Sequence, residues 1–240
     1  MKARVLVIVP AFNESGSIAG VIREIFAARK DVSVLVVDDG SLDDTALRAS
    51  GAGAQVVRLP FNLGIGGAVQ TGYRWAERNG YDIAVQIDGD GQHDPRFLDA
   101  MLTPLLRGEA DMVVGSRFAG EKGGFRSSFS RRVGILFFVT LIRLLTGLRC
   151  TDPTSGFRGC GPRLIRLFAA HYPNDFPEPE AIVIARRLGA VVREVPVLMR
   201  ARSAGRSSIG KLKSPYYMLK VTAAIMLDMF KDRKVFGPWE

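Results

Sequence analysis

The chain has 240 residues, enough for one large catalytic domain with an appendage and a sizeable core. Its 33 Lys and Arg against 24 Asp and Glu give a formal charge of +9, which favours anionic partners: phosphate groups, acidic membrane surfaces or nucleic acid. Its two cysteines, Cys150 and Cys160, exclude a disulfide framework or a zinc site and fit reduced thiols in a cytoplasmic protein.

Met1-Lys2-Ala3-Arg4 runs directly into an apolar segment, residues 5–9. That segment is short, Asn13-Glu14 interrupts it and no small-residue cleavage site follows, so it reads as a buried first strand and not as a signal peptide. Apolar, β-branched runs recur at 34–37, 55–59, 83–87 and 112–114, and helix-like segments separate the first four. This alternation predicts an α/β fold with a mostly parallel sheet and helices on both faces. In the first helix Ser17 is a plausible N-cap, and Ile18, Val21, Ile22, Ile25 and Phe26 share one face. Asp43 and Asp44 open the second helix near its positive end. The third, residues 64–78, turns Ala68, Val69, Gly72, Tyr73 and Ala76 inward.

After Arg117 a basic loop rich in Gly and Ser, residues 120–128, leads into a very apolar helix. At about 1.5 Å per residue its apolar run falls short of a bilayer core of about 30 Å. Arg131, Arg132, Arg143 and Arg149 flank or punctuate it, which suits a helix lying in the membrane interface; a buried core or dimer helix is the alternative. A further helix around 182–188 precedes a strand or hairpin at 191–199, where Pro196 marks a sheet edge. A second apolar segment, 216–230, carries Lys220 and Asp228 and is expected to dock on the membrane, another subunit or a partner protein. The chain thus divides into a catalytic domain, 1–200, containing an interface helix at about 130–148, and a tail, 201–240, made of a mobile basic loop and a docking helix.

The chemistry-bearing residues lie at predicted strand ends. Asp88-Gly89-Asp90 follows the run 83–87, and the missing side chain of Gly89 lets the backbone turn so that both carboxylates can approach one Mg²⁺ or Mn²⁺ and its phosphates. Asp38-Asp39-Gly40-Ser41 repeats the pattern, and open α/β sheets gather ligands at these carboxyl edges. Asp39 is a candidate hydrogen-bond acceptor for a nucleobase or ribose, and Ser41 doubles as a natural helix cap. With Pro10-Ala11-Phe12-Asn13-Glu14 at the first strand end, these residues outline a nucleotide pocket in which Glu14 is placed to hold ribose hydroxyls. Asn62-Leu63-Gly64-Ile65-Gly66-Gly67 lacks the Lys-Ser/Thr ending of a Walker A loop and matches no dinucleotide fingerprint; its glycines serve ligand approach or tight helix packing.

The ordered set Val9 to Glu14, Val37-Asp38-Asp39-Gly40-Ser41, Asn62-Leu63-Gly64, Asp88-Gly89-Asp90-Gly91-Gln92-His93, Gly115-Ser116-Arg117 and Asp152-Pro153-Thr154-Ser155-Gly156-Phe157-Arg158 resembles the family 2 glycosyltransferases of GT-A fold. Within them it is similar to the polyprenyl-phosphate sugar transferases typified by dolichyl-phosphate mannose synthase. The resemblance implies a Rossmann-like central sheet and a donor pocket of Pro10, Ala11, Asn13, Glu14, Asp38, Asp39, Ser41, Gly64, Asp88, Gly89 and Gln92. Asp39 would lie at the base, and Asp88, Asp90 and Gln92 around the Mg²⁺ or Mn²⁺ and the diphosphate. It assigns the acceptor's lipid phosphate to Arg117 and Arg131. Residues 201–208 resemble the mobile Arg-x-x-Gly-x-Ser-Lys loop, adding Arg202 and Arg206, but Ser208 stands where lysine is usual.

Together these residues predict a metal-dependent transfer of a hexose, mannose or glucose, from a GDP- or UDP-linked donor to a dolichyl or undecaprenyl phosphate. A phosphate nucleophile is already anionic, so no general base is required; Asp90 and Arg117 carry the catalysis through leaving-group and acceptor stabilisation, with inversion at the anomeric carbon. The expected location is cytoplasmic and peripheral to the membrane, with a membrane protein partner or homo-oligomer open and no nucleic acid. The alternative within the class is a hydroxyl acceptor on a saccharide or protein, for which Glu178 and Glu180 are the available bases. Asp152 is expected to order the acceptor loop, and His93 to stand behind the metal site. An alternative of another class is a basic nucleic-acid-binding protein, although the chain has no evident aromatic stacking platform.

Overall fold

The computed structural model describes residues 2–120, 129–175, 177–200 and 214–231, the side chains of 129–131 and 214–217 excepted. The strands are β1 (Val5–Ala11), β2 (Val32–Asp38), β3 (Gln55–Arg58), β4 (Ile83–Gln86), β5 (Met112–Ser116), β6 (Arg158–Cys160) and β7 (Val192–Pro196). The helices are α1 (Ile18–Ala28), α2 (Thr45–Gly51), α3 (Gly64–Arg78), α4 (Leu98–Leu106), α5 (Phe129–Thr146), α6 (Pro162–Ala170), α7 (Pro177–Arg187) and α8 (Ser214–Phe230), with a 3-10 turn at Pro95–Phe97.

The seven strands form one sheet in the order β3-β2-β1-β4-β6-β5-β7. β1 is central and buried along its whole length, which is why its sequence is a continuous apolar run and not an alternating one. Its side chains divide between two cores by the period of two: Leu6 and Ile8 join α3, α6 and α7 on one face, while Val5, Val7 and Val9 join α1 and α4 on the other. β1 pairs in parallel with both β2 and β4, so the chain winds outward to β3 and then returns across β1 to β4. The crevice at this reversal is where open α/β sheets bind ligands, and the carboxyl ends of β1 and β4 that form it carry Asn13, Glu14, Asp88 and Asp90.

One strand is not visible in the apolar pattern. β6 is three residues long and runs antiparallel to both neighbours, with Cys160 opposite Ala84 of β4 and Met112 of β5. β7 extends the sheet in parallel beside β5 and forms the expected edge.

Two capping expectations are corrected. Ser17 precedes α1, but its hydroxyl donates to Glu14 Oε2 at 2.8 Å and makes no cap hydrogen bond. Ser41 is too early to cap α2, which opens at Thr45, where Asp43 Oδ1 accepts the Thr45 N–H at 3.0 Å. Asp43 therefore supplies the negative charge expected at this helix start.

α5 and α8 both pack on α7, and a Cβ on Gly134 of α5 would lie 3.9 Å from the Met218 Sδ of α8. α5 buries Ile135, Phe138 and Ile142 and leaves the stripe Val133, Leu136, Phe137 and Leu144 in solvent. α8 likewise buries Val221 and Ile225 and exposes Leu219, Met226, Leu227 and Phe230. Each helix thus carries one buried and one exposed apolar stripe. Among the described residues no helix is long and apolar enough to cross a membrane. The basic loops that contain Arg202 and Arg206, and the side chain of Arg131, lie outside the described residues.

Candidate active site

Asp38 ends β2 and is fully buried; its Oδ1 accepts the Ser41 N–H at 3.1 Å, and Arg58 Nε stands 3.3 Å from Oδ2. Ser41 Oγ accepts the Asn13 N–H at 2.9 Å, and Asn13 Oδ1 accepts the Leu42 N–H at 2.9 Å. These bonds lace the β1 and β2 loops together, with Asn13 held at φ 55°. Pro10 and Ala11 form the strand end beneath them. Glu14 is anchored by its N–H to Thr45 Oγ1 at 2.8 Å.

Asp39 is almost fully buried, and its two oxygens accept the N–H groups of Leu63 (2.7 Å) and Gly64 (2.9 Å). Burial pushes its carboxyl above the ordinary value, and the two amides pull it back. Asp39 therefore ties the start of α3 to the strand-end pocket, a structural task in addition to the base-side role the resemblance implies. Gly66 serves packing, since a Cβ there would lie 2.1 Å from the Asn174 carbonyl oxygen, whereas Gly64 has open space around it and holds φ 82°.

Asp88 and Asp90 follow β4 as expected. Asp88 is about one-third exposed at the side chain, with Oδ1 accepting from Gln86 Nε2 at 3.2 Å. Asp90 is buried, and its Oδ1 accepts the Gln92 N–H at 3.0 Å, which fixes the turn between them. His93 stands behind Asp88: its Nδ1 accepts the Asp88 N–H at 3.1 Å, so Nε2 carries the proton, 3.7 Å from Asp88 Oδ2. The imidazole is buried and stacked on Phe157 with ring centroids 5.3 Å apart.

No group of three or more His, Cys, Asp or Glu assembles into a metal cage among the described residues. The two-carboxylate oxygen set nevertheless fits a Mg²⁺ or Mn²⁺ of the kind that takes one or two carboxylates and completes its shell with substrate phosphates and water. Asp88 and Asp90, with Gln92 beside them, would hold the ion, which when bound offsets negative charge on a departing diphosphate.

Arg117 follows β5 and is nearly buried, with its side chain 2% exposed. Its Nε donates to Asp152 Oδ2 and its Nη2 to Asp152 Oδ1, both at 2.6 Å, and Nη2 also donates to Thr154 Oγ1 at 2.9 Å. Asp152 thus ties the loop 151–156 to the end of β5. What the sequence reading missed is that the partner is Arg117 itself, which makes this guanidinium part of the wall. Gly156 of the same loop backs directly onto Asp88: a Cβ there would lie 3.0 Å from Oδ2 and 3.1 Å from Oδ1.

The structure separates Glu178 from Glu180, which the sequence offered as equivalent bases. Glu178 lies within electrostatic reach of Asp88, Arg117 and Arg158; burial raises its carboxyl, with Arg158 opposing the shift most strongly. Glu180 faces α8, beside Asp228 and Lys231, and burial and Asp228 raise its carboxyl to about 8. Cys150 and Cys160 are buried free thiols; burial raises Cys160 to about 12 and Cys150 further.

The sheet order, the reversal between β1 and β4 and the carboxylates gathered there define an enzyme of the nucleotide-sugar-dependent class, a glycosyltransferase of GT-A fold. Comparison with known proteins makes the assignment particular: the chain belongs to glycosyl transferase family 2, whose model matches residues 6–171. An undecaprenyl-phosphate mannosyltransferase from Micrococcus luteus is 32% identical over 214 residues, which cover 86% of this chain and 87% of that one. A polyprenol monophosphomannose synthase from Mycolicibacterium smegmatis is 33% identical over 229 residues, covering 91% of this chain and 85% of that one. Among solved structures, glucosyl-3-phosphoglycerate synthase from Mycobacterium tuberculosis, in complex with Mn²⁺, uridine diphosphate and phosphoglyceric acid, superposes with a TM-score of 0.75. It is 26% identical, over 96% of this chain and 80% of that chain. The nucleic-acid-binding alternative gives way to the enzyme.

Proposed function

We propose that this glycosyltransferase moves a hexose from a nucleoside-diphosphate sugar to a polyprenyl phosphate at a membrane surface, by direct displacement with inversion. The observation that carries the lipid acceptor is the pair α5 and α8, each packed on α7, with one apolar stripe buried and a second left in solvent. The names of the Micrococcus and Mycolicibacterium relatives support the same acceptor class. Arg132, Arg143 and Arg149, all exposed, supply the positive charge that an interfacial helix places near lipid phosphates.

In this reading the donor lies over the β1, β2 and β4 ends. Pro10, Ala11, Asn13, Glu14, Asp38, Asp39, Ser41 and Gly64 hold the nucleoside, while Asp88, Gly89, Asp90 and Gln92 face the diphosphate and a Mg²⁺ or Mn²⁺. The acceptor phosphate is anionic at neutral pH and needs no base. Arg117, immobilised on Asp152 and with its charge partly offset by it, is a pre-set guanidinium on the acceptor side that does not have to reorganise during the reaction. Arg131, Arg202 and Arg206 remain proposed partners of the lipid phosphate. Incubation with labelled GDP- and UDP-hexoses and polyprenyl phosphate in vesicles should place label in the organic phase; label confined to the aqueous phase would reject the acceptor.

A second reading, a hydroxyl acceptor, is favoured by one observation: Glu178 has a raised carboxyl close to Asp88. Glu178→Gln distinguishes the two. It abolishes transfer to a hydroxyl that needs deprotonation and spares transfer to a phosphate.

A further inference from the structure

The loop 151–156 links α5 to β6, and its backbone is gripped from two sides by charges that do not meet each other. On one side is Glu194 in β7. Its Oε1 accepts the Asp152 N–H at 2.8 Å, and its Oε2 accepts the Thr151 N–H at 2.8 Å and the Thr151 hydroxyl at 2.9 Å. On the other side is Arg158 in β6, 1% exposed. Its Nε donates to the Ser155 carbonyl at 2.7 Å, its Nη2 to the Pro153 carbonyl at 2.8 Å and its Nη1 to the Glu178 carbonyl at 2.5 Å.

The anion thus takes the loop's amides and the cation takes its carbonyls. Burying a guanidinium against neutral carbonyls is a costly way to gain stability, since an apolar side chain of the same volume is often as stabilising. What the arrangement supplies is direction. Charge-assisted bonds along both edges leave the loop one conformation, and two features of the site depend on that conformation. Asp152 meets Arg117 in bidentate geometry, and Gly156 abuts the Asp88 carboxylate.

We infer that Glu194 and Arg158 are positioning residues for glycosyl transfer, fixing the loop so that Arg117 and Asp88 are held in one register. The inference rests on the proposed reading that Arg117 serves the acceptor and Asp88 the donor. Neither Glu194 nor Arg158 touches substrate in this account.

The test is steady-state kinetics of Glu194→Gln and Arg158→Lys, with Ile22→Ala as a control that loosens the core of α1 far from the loop. In Glu194→Gln we expect kcat to fall about 100-fold and acceptor KM to rise about tenfold, because misplacement on the scale of 1 Å has that cost. Donor KM should rise as well but by less, about threefold, because the nucleoside pocket is untouched and only Asp88, against Gly156, is released. Arg158→Lys keeps the charge but loses the fork, and should fall between wild type and Glu194→Gln. Ile22→Ala should lower Tm with both KM values unchanged. Kinetics of Glu194→Gln that track Ile22→Ala, or an acceptor KM that stays unchanged, would overturn the inference. Failure of the wild type to glycosylate any polyprenyl phosphate would refute the acceptor reading alone; the same KM comparison on the hydroxyl acceptor that replaces it then decides the positioning role.

Discussion

Arg117 and Asp152, 35 residues apart in sequence, meet in a bidentate ion pair from which both side chains are withdrawn from solvent. A pair of this kind is sensitive to the loss of either member, because the survivor is left as an uncompensated buried charge. Asp152→Asn should destabilise the protein by about 3–5 kcal/mol and lose transfer activity. The double variant Arg117→Met with Asp152→Leu should recover most of the stability and none of the activity. Denaturant unfolding and transfer assays on the two proteins check this; recovery of activity in the double variant would show that the pair has no part in the reaction.

Asp90→Asn should reduce transfer by about 100-fold or more, the scale expected when a group that stabilises developing charge is removed. The melting shift produced by nucleotide sugar in the presence of Mn²⁺ should disappear, while binding to vesicles carrying polyprenyl phosphate persists. Loss of both forms of binding together would contradict a division between leaving-group and acceptor sides.

Gly156→Ala places a methyl group against the Asp88 carboxylate, so the carboxylate must shift by a few tenths of an ångström. Donor KM should rise about tenfold, in line with the cost of small misplacements at a reacting centre, with a small change in Tm. An unchanged donor KM would indicate that the position of Asp88 is not critical.

Glu180 gives the stability a pH dependence. Its carboxyl is raised in the fold from 4.5 to about 8, by burial first and by Asp228 second. A raised folded value means that the protonated form is favoured by folding, so its contribution is complete below pH about 4.5 and is lost as pH rises through about 8. The proton also has a visible use, since Asp228 Oδ2 is buried and has no other hydrogen-bond donor. Tm relative to that of Glu180→Gln should therefore decline across this window, and a flat difference would reject the shared proton. Lys231, paired with Asp228 Oδ1, and Asp175, paired with Lys220, are the other charges near this carboxyl.

Leu136→Asp and Leu227→Asp each put a charge in an exposed apolar stripe without touching the core. Both should leave Tm within about 0.5 kcal/mol equivalents of wild type, as surface changes do, and reduce sedimentation with vesicles of anionic phospholipid. Retained vesicle binding in the double variant would argue against α5 and α8 as the membrane face.

The parallel strands β1, β2, β4 and β5 were legible because each is an apolar run buried along nearly its whole length, and the strand-end carboxylates because they interrupt those runs abruptly. β6 was not. Arg-Gly-Cys has no apolar run and contains a charge, and it becomes a strand only because β4 and β5 pair with it from either side. The grip of Glu194 and Arg158 on the loop was hidden for a related reason: its partners are backbone groups, which no side-chain pattern records. Glu178 and Glu180, two residues apart in one motif, could be told apart only when α7 placed the first near Asp88 and the second against α8.

The insertion of β6 also constrains how this enzyme can be recombined with its relatives. A crossover near residue 120 looks natural in sequence, since it falls between the strand-end motifs up to Arg117 and the motif Asp152 to Arg158. Yet the chain beyond it returns to the middle of the sheet and is bonded to β4 on one side and β5 on the other. A chimera cut there would ask a foreign strand to fit between two native ones and a foreign glycine to match the native Asp88. On the proposed reading of the site, donor and acceptor specificity should therefore be inherited together, and grafts that change the acceptor alone should succeed only when their boundaries lie outside residues 83–160.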